Sequence, residues 1–245
     1  LAVYRGESER AFAPVMVRYR DYVQWESRRL KTGKMREHEE YWLRKLGGEL
    51  PIMDMPTDYP RPLQKSYKGD SFAFEIGEGL RESLVRWARE TGTTFYMMLL
   101  AGSMILWHRV TGQTDIIISS PAAARPYSFQ EQTIGLLMNS LMMRNFPTAE
   151  KPVSVFLQEV KRTVLEAFTY QDYPLAELLK KMDYKLVPGR SPIADVELTV
   201  LNMIEPGAAE IFRREEGDSW PAAHELYFHK TAKLDITISV LDKGS

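Results

Sequence analysis

The chain has 245 residues, 44% of them hydrophobic, enough to bury a full core as one large domain or as one domain with an arm. Its formal net charge of −1 gives no global field that would draw it to nucleic acid or to an anionic membrane surface. The absence of cysteine excludes disulfides, thiolate nucleophiles and cysteine-based zinc sites, and suits a reducing cytoplasm.

Leu1 to Arg5 read as the tail of a helix from something longer, and residues 7–18 as a loop broken by Glu7, Ser8 and Pro14. A helix follows, with Tyr19, Tyr22, Val23 and Trp25 near one face. From Lys34 to Leu46, charges alternate with Tyr41, Trp42 and Leu43, and Gly47-Gly48 supplies a stop. Pro56 to Pro62 holds three prolines in seven residues and is expected to be an extended linker. Phe72, Phe74 and Ile76 alternate with polar or small residues, which predicts a half-buried strand.

Leu80, Leu84, Val85 and Ala88 predict a helix ending at Gly92. Thr93 or Thr94 caps the next one, Phe95 to Val110, which is apolar nearly all round and therefore buried. Its apolar run of about 13 residues is too short to span a bilayer, which needs roughly 20. Asp115 to Ser119 predicts a buried strand. Ser154 is expected to cap a helix carrying Phe156, Val160, Val164 and Phe168, and Pro174 suits the first turn of another through Met182. Strands are predicted at Asp195 to Met203 and Leu234 to Leu241, with 205–230 a loop or irregular hairpin. This interleaving predicts a layered α/β (α+β) sandwich.

The residues by themselves nominate no catalytic constellation. His38 lies in a charged helix face, His108 near the end of the apolar helix, and His224 and His229 at a spacing unsuited to a metal pair. No nucleophile elbow or phosphate-binding glycine loop occurs. Leu46 to Leu50 lacks the serine of a carrier-protein attachment site. Glu215, Glu216 and Asp218 read as a solvated loop, and Met138, Met142 and Met143 as core.

Several segments, in order, resemble motifs of nonribosomal peptide synthetase condensation domains. Tyr19-Arg20-Asp21-Tyr22-Val23-Gln24-Trp25 resembles the family's Tyr-x-Asp-Tyr/Phe-Ala-x-Trp. Pro121-Ala122-Ala123-Ala124-Arg125 resembles its Pro-x-Ala-x-Arg turn. Ile134-Gly135 through Asn139, with Arg144, is similar to its Ile-Gly-x-x-x-Asn-x-x-x-x-Arg. Tyr170-Gln171-Asp172-Tyr173-Pro174 resembles its His/Asn-Gln-Asp-Tyr-Pro-Phe-Glu, with Leu175 and Ala176 departing from the pattern. Gly189-Arg190-Ser191-Pro192 sits where the last motif belongs.

The resemblance implies a chloramphenicol acetyltransferase-like lobe over residues 63–245, incomplete at its C-terminal end. Residues 1–62 would be the connector from an N-terminal condensation lobe. It implies amide-bond formation between a donor and an acceptor thioester, both on phosphopantetheine arms of peptidyl carrier proteins, beside an adenylation domain. No cofactor, metal, nucleic acid or membrane is expected to bind directly, and the location is expected to be cytoplasmic. The family's chemistry rests on a paired histidine, and no two histidines here are adjacent, so this chain alone is expected to be inactive. The resemblance gives supporting catalytic roles to Asn202 and Arg125, and tunnel positions to Asn139 and Arg144. Asp172 reads as a helix-start cap. A non-catalytic recruitment module and a coenzyme A-dependent acyltransferase are the alternatives. A lobe without its partner would expose an apolar face and self-associate.

Overall fold

The computed structural model describes residues 15, 17–123, 125, 127–201 and 230–241. Two helices come first, α1 (Tyr19–Lys31) and α2 (Arg36–Lys45), then a long stretch without helix or strand, then α3 (Glu78–Thr91) and α4 (Phe95–Thr111). The rest follows as β1 (Ile116–Ala122), α5 (Ser128–Glu131), β2 (Asn139–Asn145), α6 (Val153–Thr169), α7 (Leu175–Lys181), β3 (Val196–Leu201) and β4 (Ile236–Leu241).

The strands form one mixed sheet in the order β2-β1-β3-β4. β1 and β2 are antiparallel, whereas β1–β3 and β3–β4 are parallel. One end of the sheet therefore gathers the starts of β1, β3 and β4 with the finish of β2. The other end gathers their finishes with the start of β2.

One face of the sheet is the core. Ile118, Met143, Leu141, Val196 and Leu198 are buried on it and pack with α4 and α6. α4 contributes Met97, Met98, Leu100, Ala101, Met104 and Trp107, as expected of a helix apolar nearly all round. Thr94 caps it, its Oγ1 accepting the Met97 N–H at 3.2 Å.

Inside this core the hydroxyls of Ser120 and Tyr96 are paired, whereas Trp107 Nε1 has no hydrogen-bond partner among the described residues. Ser120 Oγ donates to the Leu198 carbonyl at 2.6 Å, which leaves the Tyr96 hydroxyl, 2.6 Å away, to donate to Ser120. Burial pushes the Tyr96 phenol up to about 12, so it stays a neutral donor.

Three local expectations change. Residues 72–76 form no strand: Phe72 and Phe74 are 88% and 74% exposed and stack on each other at 6.2 Å. Alternation describes a face, but pairing makes a strand, and among the described residues this part of the chain makes one bridge, Lys68 with Thr231. Ser154 is not the cap of α6, because the helix opens one residue earlier after Pro152. Met138 is exposed while Met142 and Met143 are buried. The expectations for Leu1 to Arg5, for most of residues 7–18 and 205–230, and for His224, His229, Glu215, Glu216 and Asp218 lie outside the described residues.

Candidate functional site

At the finishing end of β1 the chain passes through Arg125 into α5, and the loop 133–138 leads back into β2. Arg125 holds this excursion together by donating to the Gln130 carbonyl and, at 3.0 Å, to that of Thr133. Thr133 in turn donates to the Val17 carbonyl at 3.1 Å, fixing the loop to the start of α1. Gly135 completes the contact. A Cβ there would lie 2.3 Å from the Tyr19 ring, so the close approach needs glycine.

Asn139, the first residue of β2, uses its whole hydrogen-bonding capacity. Its amide donates to the Gln171 and Tyr173 carbonyls at 2.8 and 2.7 Å, and its oxygen accepts from Ser140 N–H and Leu175 N–H. It therefore clamps the Tyr170–Pro174 turn onto the sheet.

Asp172 of that turn does not cap α7, which follows Pro174 without a side-chain cap. Its carboxylate instead accepts from the Arg29 guanidinium and the Tyr127 hydroxyl, both at 3.0 Å, and Arg29 also donates to Tyr127 Oη at 3.0 Å. Arg29 and Asp172 are mostly buried. The Arg29 guanidinium lies 4.6 Å from the centre of the Trp25 ring, which meets Tyr127 and Phe129 edge-on. Burial, and then the bond to Asp172, raises the Tyr127 phenol. Four family-like segments meet here.

The opposite end of the sheet is organised differently. Residues 45–65 run along it as a strap, meeting the strands in their spatial order. At β2, Arg144 pairs with Asp115 at 2.7 Å and donates to the Gly47 and Glu49 carbonyls at 2.9 and 3.1 Å. Before β1, Gln113 brackets Ile52 and Asp54, both at 2.8 Å. Before β3, Arg190 joins the Met53 carbonyl to Asp195. Before β4, Arg61 forms a two-pronged pair with Asp235. Burial pushes the Asp235 carboxyl up, but Arg61, with Lys65 and Arg190 beyond it, outweighs this and holds it below its ordinary value. The proline-rich linker is thus extended, as expected, and pinned along its length.

The two tunnel candidates, Asn139 and Arg144, are not brought together. They sit at opposite ends of β2, and their odd spacing puts them on opposite faces. Arg125 and Asn139 share the finishing end of the sheet; Asn202 lies outside the described residues. Neither described histidine is poised with a nucleophile: His108 Nδ1 is 2.8 Å from the Gln113 carbonyl, and His38 meets the Tyr170 ring edge-on. Among the described residues no cluster could hold a metal, and no helix is long and apolar enough to cross a membrane. An open depression of about 450 Å³ bordered by Glu49, Ile52 and Asp115 lies on the strap side. The sequence reading missed Arg29, Tyr127, Arg61 and Asp235, whose partners lie far along the chain, so no local pattern marks them. It placed Arg190 in a family-like segment without its bond to Asp195, five residues on.

The family model described as "Condensation domain" matches residues 2–245. The chain belongs to the condensation domain family. It is 37% identical to tyrocidine synthase 3 of Brevibacillus parabrevis over 243 residues, 99% of this chain and 4% of that protein. It is also 38% identical to bacitracin synthase 1 of Bacillus licheniformis over 213 residues, 86% of this chain and 4% of that protein. The chain thus spans a small fraction of these relatives. Among solved structures, the X-domain from teicoplanin biosynthesis matches 81% of this chain and 45% of its own, with TM-score 0.72 and 22% identity. The condensation domain from the Monacolin K polyketide synthase MokA matches 81% and 48%, with TM-score 0.68 and 19% identity. The architecture is the layered α/β, chloramphenicol acetyltransferase-like fold expected from the sequence. This condensation-domain chain spans about half the length of those structures.

Proposed function

We propose that this chain is part of a nonribosomal peptide synthetase condensation domain. The intact domain joins a donor acyl or peptidyl thioester to an acceptor aminoacyl thioester through a new amide bond. Both substrates ride on phosphopantetheine arms of peptidyl carrier proteins, with an adenylation domain as neighbour. The observation that carries this reading is the convergence of four family-like segments at one end of the sheet, in a chain 37% identical to tyrocidine synthase 3.

The residues here position and do not react. Acyl transfer speeds up when the amine is held in line with the thioester and fixed donors meet the developing oxyanion charge. Arg125 and Asn139 hold the loops that form the wall at that end, and the family resemblance gives Asn202 a role toward substrate or histidine. Arg144 keeps the connector in place beneath. The proton-handling histidine comes from the N-terminal lobe, because no two histidines of this chain are adjacent. That lobe docks on the loop 133–138, where Ile134, Leu136 and Met138 are 83%, 70% and 61% exposed around a buried Leu137.

The test is a condensation assay read by intact-protein mass spectrometry with donor- and acceptor-loaded carriers. Product is expected when the N-terminal lobe is added, and none with this chain alone. Turnover by the chain alone overturns its predicted inactivity. No product with both lobes folded and bound favours the recruitment module. Product from an acyl-coenzyme A donor favours the acyltransferase alternative.

A further inference from the structure

The face of the sheet opposite the core carries a polar band that the bracing roles above do not use. On β3, Glu197 lies level with Ser119 of β1 and Thr237 of β4, and level residues on neighbouring strands point to the same face. The next row pairs Thr199 with Ser239. Val196, Leu198, Ile236 and Ile238 of the same strands point the other way, into the core. On the β2 side the strap runs beside this face, Pro51 and Met53 bordering the same small cavity as Ile117. Toward β4 it opens, with Thr237 and Ser239 exposed.

A sheet face built to receive helices is apolar. Toward β2 this one is apolar, with Ile117 and Met142 buried, but across β1, β3 and β4 it carries the hydroxyls of Ser119, Thr199, Thr237 and Ser239 and one acid, Glu197. The Glu197 carboxylate is half-buried, and its nearest polar partner is Ser119 Oγ at 3.5 Å, a weak bond at best. Among the described residues it forms no ion pair; Lys233 attracts it from a distance. Burial raises its carboxyl despite both. A carboxylate held this way is stabilised by a cation that arrives beside it, and hydroxyls on either side can share that cation's remaining protons.

Resting on the condensation reading, we propose that Glu197, with Ser119 and Thr237, forms a subsite for an amine-bearing aminoacyl side chain and makes the domain prefer basic substrates. The same chemistry is available from the donor or from the acceptor, so each is varied in turn.

The experiment uses this chain with its N-terminal lobe and carriers loaded with lysyl or leucyl groups, first as acceptor and then as donor. Wild type is expected to favour lysyl on one of the two sides. Glu197→Gln, of nearly the same shape, is expected to lower the lysyl-to-leucyl ratio of kcat/KM on that side by at least about tenfold, mainly through KM. Glu197→Asp, which keeps the charge, is expected to retain the preference. Amide formation with a ratio that Glu197→Gln leaves unchanged on both sides overturns the subsite and spares the condensation reading. An equal fall for lysyl and leucyl overturns it too, as a structural effect. No amide from any carrier pair overturns the condensation reading, and the subsite with it.

Discussion

The two ends of the sheet are secured by different physics. At the strap end, guanidinium groups and one amide side chain reach backbone carbonyls and carboxylates, strand by strand, and tie residues 45–65 to the sheet edge. At the other end a stack of rings surrounds one buried ion pair, and an asparagine and a glycine complete the fit. The strap end depends on charge and hydrogen bonds to main chain, which tolerate changes in neighbouring side chains. The motif end depends on particular side-chain shapes, with Gly135 against the Tyr19 ring and Asn139 saturated with hydrogen bonds. Family-like residues occur at both ends, since Arg144 and Arg190 serve the strap, but four such segments meet at the motif end.

The largest effect is expected from Arg144→Ala. Its guanidinium is 10% exposed and serves Asp115 and two strap carbonyls at normal bond lengths, so removal leaves several groups unpaired. A loss of about 3 kcal/mol is expected in urea unfolding. Arg144→Lys recovers little of it, because one ammonium cannot span a carboxylate and two carbonyls. A loss under about 1 kcal/mol would show that the strap is not held there. At the motif end, Asp172→Asn is expected to cost about 2 kcal/mol, since two charge-assisted or buried bonds are weakened together. Pairing it with Arg29→Met gives a double-mutant cycle; additive losses would show that the two residues do not act as a unit.

Gly135→Ala sharpens the shape argument. The new methyl collides with the ring of Tyr19, and a loss of about 1–3 kcal/mol is expected. Tyr19→Ala in the same chain is expected to recover most of it. If the double variant is no better than Gly135→Ala alone, the loop 133–138 and α1 are not packed as described.

What was legible in the sequence follows the same division. α4 was readable because its apolar residues cover it nearly all round and Thr94 caps it, all within one segment. The motif end was readable as resemblance, yet the role of Asp172 was not. A helix cap is a local pattern, whereas Arg29 lies 143 residues away and Tyr127 45 away. How the strap is pinned was illegible for a stronger reason: besides Asp115, the partners of Arg144 are main-chain carbonyls 95 and 97 residues distant, and a carbonyl has no sequence signature. The expected strand at 72–76 failed because alternation describes only a face, and here both faces of the segment stay open, with Phe72 and Phe74 exposed.

The smallest effect separates the two ends by pH. Asp235, at the strap end, has its carboxyl held below an ordinary value of 3.8 by Arg61 against the opposing push of burial. A carboxyl lowered on folding binds fewer protons folded than unfolded. It therefore contributes stability above about pH 4 and loses it as pH falls through the folded value. Arg61→Met removes the main attraction and leaves the burial opposed only by Lys65 and Arg190, so the lowering shrinks. Wild type is expected to exceed Arg61→Met by about 1 kcal/mol near pH 6, and the gap is expected to shrink toward about pH 3. Urea midpoints at the two pH values measure it. A gap that does not change with pH would mean that Arg61 acts through packing against the strap and not through its charge. The pinning of the strap at β4 would then be steric, unlike the ionic contact at β2.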